Sequence, residues 1–236
     1  MVFFTSRGLP SNKTYDPVFA NNDWAAIIEA CHANEVPDTW VADGTCYKDM
    51  DIGGKAYRID IIGKNHDDLA DGTGKAPLTF QLHDCYGDGH EYSMNPANTN
   101  VGGWKDCRMR TWALPTLKAL LPSEVQAGIR TVNKLTSAGN KISTIVTTQD
   151  DLFLPSEIEV FGVTTYSFGG EGTQYNYYKT GNSKVKNYNG VAKWWNERSP
   201  YAKETPYFCF VQNTGTADAT GVAASWASGV PFCFCF

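Results

Sequence analysis

Three histidines and a string of carboxylates crowd one short stretch of the chain, as His66-Asp67-Asp68, His83-Asp84-Cys85 and Asp88-Gly89-His90-Glu91. Imidazole and carboxylate are metal ligands and general acids or bases, so the stretch offers both chemistries. Asp67, Asp68 and Asp71, with Gly72 following, resemble a calcium loop in composition, and Ca2+ on such carboxylates fits better than zinc. The spacing matches no zinc or EF-hand pattern, and solvated loop groups and helix caps account for the same residues. The expectation is therefore no cofactor and no metal, with Asp67, Asp68 and Asp71 as the positions to inspect. The competing reading is an enzyme, a metal-dependent glycan-processing hydrolase working through His66, Asp67, His83 and Asp88.

Nucleophilic and redox chemistry find less support. No glycine-flanked nucleophile elbow is present, and no motif singles out a carboxylate pair for sugar hydrolysis. Cys209, Cys233 and Cys235 could serve redox or copper chemistry. In Phe232-Cys233-Phe234-Cys235-Phe236, however, a period of two sets the thiols opposite three phenylalanines, which is ordinary core composition. Trp104, Trp112, Trp194 and Trp195 could stack on sugars, but tryptophan is mostly buried; Trp226 is the one expected at the surface. No catalytic residue is expected.

These groups need elements to hold them. Residues 21–35 read as an amphipathic helix capped by Asn22 or Asp23, with Trp24, Ile27, Ile28 and Cys31 on one face. Residues 51–63 read as a hairpin about Gly53-Gly54, its second arm alternating Tyr57, Ile59 and Ile61 with Arg58 and Asp60. Leu78-Thr79-Phe80-Gln81-Leu82 is a short strand. A helical region at 109–121 ends at Pro122, and Ser123-Glu124-Val125 opens another, with Val125, Ile129 and Val132 inward. Strands are predicted at 142–147, 152–154 and 157–161. From 162 onward Gly, Asn, Tyr and Ser suit long loops laid over a sheet. No repeat is evident.

At 236 residues, with 42% apolar and 13% aromatic content, the chain can bury a sizeable core. A net charge of -5 without a Lys/Arg cluster argues against nucleic acid as a partner. No run approaches the roughly 20 apolar residues that span a bilayer, so no membrane insertion is expected. Met1-Val2-Phe3-Phe4-Thr5-Ser6-Arg7 does not read as a secretory signal. Seven cysteines, an odd number, suit cytoplasmic synthesis with most thiols buried.

Longer motifs carry a resemblance. They are Ile61-Ile62-Gly63-Lys64-Asn65-His66-Asp67-Asp68-Leu69, Met94-Asn95-Pro96-Ala97-Asn98-Thr99-Asn100-Val101-Gly102-Gly103-Trp104, Met109-Arg110, and Leu152-Phe153-Leu154-Pro155-Ser156-Glu157-Ile158-Glu159-Val160-Phe161-Gly162. With the Trp194-Trp195 and Gly229-Val230-Pro231-Phe232 runs, they make the chain resemble a domain of unknown function from prophages of gut bacteria, itself similar to the variable proteins of diversity-generating retroelements. The tryptophan motif departs from the family pattern at Asn196-Glu197.

The resemblance implies an α+β, C-type-lectin-like fold with small antiparallel sheets, two or three helices and long irregular loops. It divides the chain into an N-terminal extension or attachment segment at 1–20 and one domain at 21–236, variable over about 194–230. It implies a phage or prophage tail-tip receptor-binding protein, at a virion tail tip or cell surface. Its partners would be a bacterial surface protein or glycan and other tail proteins. Tail tips are often homotrimers, although no heptad here demands one. The frame would be Trp194, Trp195, Phe208, Phe210, Phe232, Phe234 and Phe236. The binding surface would be Asn196, Tyr201, Ala202, Lys203, Glu204, Thr205, Tyr207, Gln212, Asn213, Thr216, Asp218, Thr220, Ala223, Ala224 and Trp226, anchored by Tyr201, Tyr207 and Trp226. The remaining alternative is a structural tail or baseplate subunit.

Overall fold

Phe80 lies where segments distant in sequence converge. The rings of Phe19, Trp24, Phe234 and Phe236 stand 6.2, 5.9, 5.2 and 5.1 Å from its own. The computed structural model describes residues 14–41, 46–90 and 92–236. Of the expected extension at 1–20, residues 1–13 lie outside that description. Tyr15 and Phe19 belong to the core, so the packed domain begins before residue 21.

Helix α1 (Trp24–His32) starts as expected. The Asp23 side chain accepts from the Ala26 backbone N–H at 2.7 Å, and Trp24, Ile27 and Cys31 are buried. Strands β1 (Tyr47–Ile52) and β2 (Lys55–Lys64) form the hairpin. Gly53 and Gly54 turn it at φ of 64° and 85°, a region that only glycine enters without steric cost. β3 (Leu78–Leu82) pairs with β2.

Next come α2 (Gly103–Asp106), a π-helical turn over Met109–Ala113, α3 (Leu114–Lys118) and α4 (Ser123–Gly128). Val132, expected on a helix face, instead opens β4 (Val132–Gly139), which pairs with β5 (Ile142–Asp150); β6 (Leu152–Phe153) follows.

The strand predicted at 157–161 is helix α5 (Glu157–Phe161). Ser156 caps it, Glu159 returns a bond to the Ser156 backbone, and Gly162 closes it in the left-handed region. These cap interactions outweigh the period-2 look of Glu-Ile-Glu-Val-Phe.

Beyond α6 (Asn176–Lys179) the chain holds more strand than expected: β7 (Lys186–Tyr188), β8 (Val191–Lys193), β9 (Trp195–Pro200), β10 (Phe208–Val211), β11 (Ala217–Asp218) and β12 (Cys233–Cys235). The helices are likewise shorter and more numerous than predicted.

The main sheet runs β1-β2-β3-β12-β6, antiparallel throughout, and a second runs β11-β10-β9. β12 is interior, with Phe234 opposite Phe80 on one side and Leu152 on the other. Both faces of that strand are covered, so Cys233 and Cys235 are as buried as Phe232, Phe234 and Phe236. Six of the seven cysteines are buried and Cys46 is half-buried. The result is an α+β mixture of short helices and small antiparallel sheets.

Candidate functional site

Charged side chains cluster beneath a cleft of about 550 Å³ lined in part by His66, Asp67, Asp68, Lys75, Lys134 and Glu171. β4 supplies Lys134, the segment after β2 supplies Asp67, and α5 supplies Glu159. The Lys134 ammonium lies 2.5 Å from Asp67, 2.7 Å from Glu159 and 3.2 Å from the Tyr175 hydroxyl. Arg198 of β9 clamps Glu159 from the far side at 2.5 and 2.9 Å and donates to the Leu154 and Glu171 carbonyls.

Burial, the largest single influence, would raise the Asp67 pKa, but the Lys134 and His66 charges together with hydrogen bonds from Lys134 and Thr79 outweigh it and hold the carboxyl down at about 2. Glu159 is lowered against the same burial penalty by Arg198 and Lys134. Lys134 is shifted up, because Asp67 and Glu159 more than offset its desolvation. Glu171 moves the other way, raised by burial.

His66 stacks on Tyr175 with ring centroids 4.1 Å apart, and burial lowers its pKa. Ligand atoms of His66, Asp67 and Glu159 lie within 4.8 Å of one another, a spacing suited to a metal ion. Lys134 bonds both carboxylates, however, and supplies from within the chain the positive charge a divalent ion would bring.

The candidate calcium loop does not converge. Asp67 turns inward to Lys134, Asp68 pairs with Lys75 at 2.8 Å, and Asp71 pairs with Arg130 at 2.5 Å while accepting from Thr73. The Thr73 hydrogen bonds hold Asp71 at about 2. Of the four groups of the enzyme reading, His66 and Asp67 lie together, but His83 and Asp88 do not join them. His83 bonds Asp60 at 2.6 Å on another face, and Asp88 bonds Tyr92 and the His90 backbone. Glu91 lies outside the described residues.

The C-terminal positions divide by burial. Lys203, Glu204, Asn213, Thr216, Thr220 and Trp226 are exposed; Ala202, Thr205, Tyr207, Gln212 and Asp218 are half-buried. Asn196, Tyr201, Ala223 and Ala224 are buried, which corrects their placement on the binding surface. Asn196 lies on a strand covered on both sides and donates to Ser228 at 2.9 Å. Tyr201 packs with Cys209 and Ala219 in a small satellite core, against which Tyr207 lies. Of the expected frame, all but half-buried Trp194 are buried.

Asn100, which carries no chemistry the sequence singles out, organises the first loop. Its side-chain amide donates to the carbonyls of Tyr201, Glu204 and Tyr207 at 3.3, 3.1 and 2.7 Å. Its backbone N–H donates to Thr205 at 2.6 Å and its side-chain oxygen accepts from Asn140 at 2.9 Å. The second loop is pinned to the 92–98 segment: Asn95 N–H donates to the Ala224 carbonyl at 2.9 Å and Ser228 N–H to Tyr92 at 2.8 Å, while Ser225 bonds Asn98. Tyr207 and Ala223 form a bridge between the two loops.

Among the described residues, no helix is long and apolar enough to cross a membrane. Comparison with curated proteins and with solved structures returns no match. A family model does match, from the start of β3 through β12, and over residues 78–236 it assigns this chain to the family described as "Domain of unknown function (DUF6273)", of which the protein is a member.

Proposed function

We propose that the chain is a ligand-binding protein with a C-type-lectin-like fold, a phage or prophage tail-tip receptor-binding protein whose surface between 201 and 227 recognises a bacterial surface molecule. One observation carries the reading: β9, β10 and β12 are wholly buried, while the connections between them expose Lys203, Glu204, Asn213, Thr216, Thr220 and Trp226. Side chains there can change without disturbing a core residue, which is what a diversified binding face needs. Other tail proteins, and copies of the chain in a homotrimer, complete the assembly in this reading.

The test is adsorption of labelled protein to a panel of Gram-positive and Gram-negative bacteria, repeated after simultaneous exchange of those six exposed residues. The expected result is altered or lost adsorption with an unchanged melting temperature. Adsorption indifferent to the exchange would reject this surface as the binding face.

A further inference from the structure

Two exposed tryptophans flank the 92–98 segment. Trp226, 54% exposed, rises from the loop that segment pins, and Trp112, 49% exposed, rises from the π-helical turn, next to the Tyr92 ring. Tyr92 lies between them, with its ring 6.4 Å from Trp112 and its backbone bridged to Ser228. Arg108 is tied in as well, its backbone N–H donating to the Asn95 side chain at 3.0 Å while the Asn95 N–H reaches Ala224. π-helical turns are inserted at a cost and concentrate at functional sites.

The Arg108 guanidinium lies 4.1 Å from the centre of the Trp112 ring. Arg58, Arg110, Arg130 and Arg198 each face an acid within 2.7 Å. Arg108 has no such ion pair among the described residues, and Asp88, ahead of the segment, accepts from Tyr92 and His90. The ring holds the guanidinium in place, and among the described residues no carboxylate occupies its N–H groups, which suit a two-point contact with a carboxylate or sulfate.

We infer that Trp112 and Arg108 form an anion-reading subsite for an acidic glycan, set beside the Trp226 loop and continuous with it. A pyranose ring presents a face of C–H bonds that packs on the exposed part of the Trp112 indole that the guanidinium does not cover. A uronate, sialate or sulfate substituent then reaches Arg108. The rim is polar, with Ser93, Asn98 and Ser225, and suits hydroxyl groups better than the desolvated apolar pockets of protein hot spots. The inference rests on the binding reading above but lies outside residues 194–230, so it adds a fixed flank to a changeable face.

The experiment is binding to an array of uronate-, sialate- and sulfate-bearing glycans beside their neutral counterparts, run with Arg108→Gln, Trp112→Ala and Trp226→Ala. All three residues are exposed, and unchanged melting temperatures would verify folding. The expected result is selective binding of acidic members, reduced at least tenfold by Arg108→Gln and by Trp112→Ala. No preference for acidic over neutral glycans, or a preference that survives both substitutions, would overturn it.

Adsorption to cells separates the two proposals. Loss with Trp226→Ala but not with Arg108→Gln or Trp112→Ala overturns the subsite and spares the loop face. Indifference to all three overturns the subsite, and the six-residue exchange then decides the loop face. Loss on protease-treated cells, with binding kept on periodate-oxidised cells, replaces the glycan with a protein and overturns the glycan assignment.

Discussion

The Lys134 ammonium and the Asp67 carboxylate meet at 2.5 Å with both side chains 2% exposed. Removing one member of such a pair strands the other charge, at a cost of about 3–5 kcal/mol. Lys134→Ala should therefore lower stability by about that amount, as measured by urea unfolding. It should also free His66, Asp67 and Glu159 to take a metal. We expect Zn2+ to raise the melting temperature of Lys134→Ala and not that of the parent chain; equal response of the two would refute the idea that Lys134 stands in for an ion.

Asp67 supplies a pH dependence whose sign follows from its shift. Its folded pKa, about 2, lies below the ordinary value of 3.8, so its contribution is complete above pH 3.8 and is lost as pH falls towards 2. The contribution is on the order of 2 kcal/mol. Glu159 is shifted in the same direction. Acid titration of unfolding should show a steep loss of stability over that window, and Asp67→Asn should flatten it.

Glu197 works in the opposite sense. It is fully buried, neither carboxylate oxygen has a hydrogen-bond partner among the described residues, and burial followed by the charges of Glu157 and Glu171 raises its pKa well above the usual range. A carboxyl raised on folding favours the folded state below its unfolded pKa and opposes it as pH rises. Glu197→Gln removes that ionisation and should raise the melting temperature more at pH 8 than at pH 5. An equal change at both pH values would count against a neutral Glu197.

Asn100 is expected to act on the first loop alone. Asn100→Asp keeps the shape but loses the amide donors to Tyr201, Glu204 and Tyr207. We expect about 1–3 kcal/mol of destabilisation, since the Tyr201 and Glu204 carbonyls lose this donor while Tyr207 keeps the Tyr201 N–H. Hydrogen exchange should quicken over 201–207 and stay slow in β9 and β10.

Phe80→Ala tests the core independently of the face. Its ring meets four others, and large-to-small changes of this kind cost about 3–5 kcal/mol. Trp226→Ala, at an exposed position, should change stability by about 0.5 kcal/mol or less. Comparable losses in the two variants would undo the division between frame and surface.

What the sequence revealed and concealed follows from the range of the interactions. The α1 cap at Asp23, the Gly53-Gly54 hairpin and the β3 strand were legible because cap, turn and periodicity are local signals. Residues 157–161 misled because their alternation mimics a strand, although Ser156 and Glu159 carry the spacing of a capping box. Asn196 was placed on the binding surface yet is buried with its neighbours Arg198 and Ser199, because Ser228 receives Asn196, Glu159 receives Arg198 and Glu171 receives Ser199. Those partners come from distant segments, as do Asp67, Lys134 and Glu159, so no spacing rule could assemble them. Lys203, Asn213 and Trp226 were legible as exposed positions; the brace at Asn100 was not, since nothing in its own neighbourhood names the loop it holds.

The interior place of β12 makes closure of the main sheet depend on the last residues of the described chain. β3 and β6 gain their shared neighbour only when residues 233–235 have been translated in frame, after the whole 201–227 stretch. A frameshift or stop codon arising in that stretch removes the strand and leaves two unpaired apolar edges, which are targets for aggregation and proteolysis. Missense changes at the exposed positions pass unpenalised. The order of segments thus lets the sheet close only in chains whose reading frame is kept through residues 201–227.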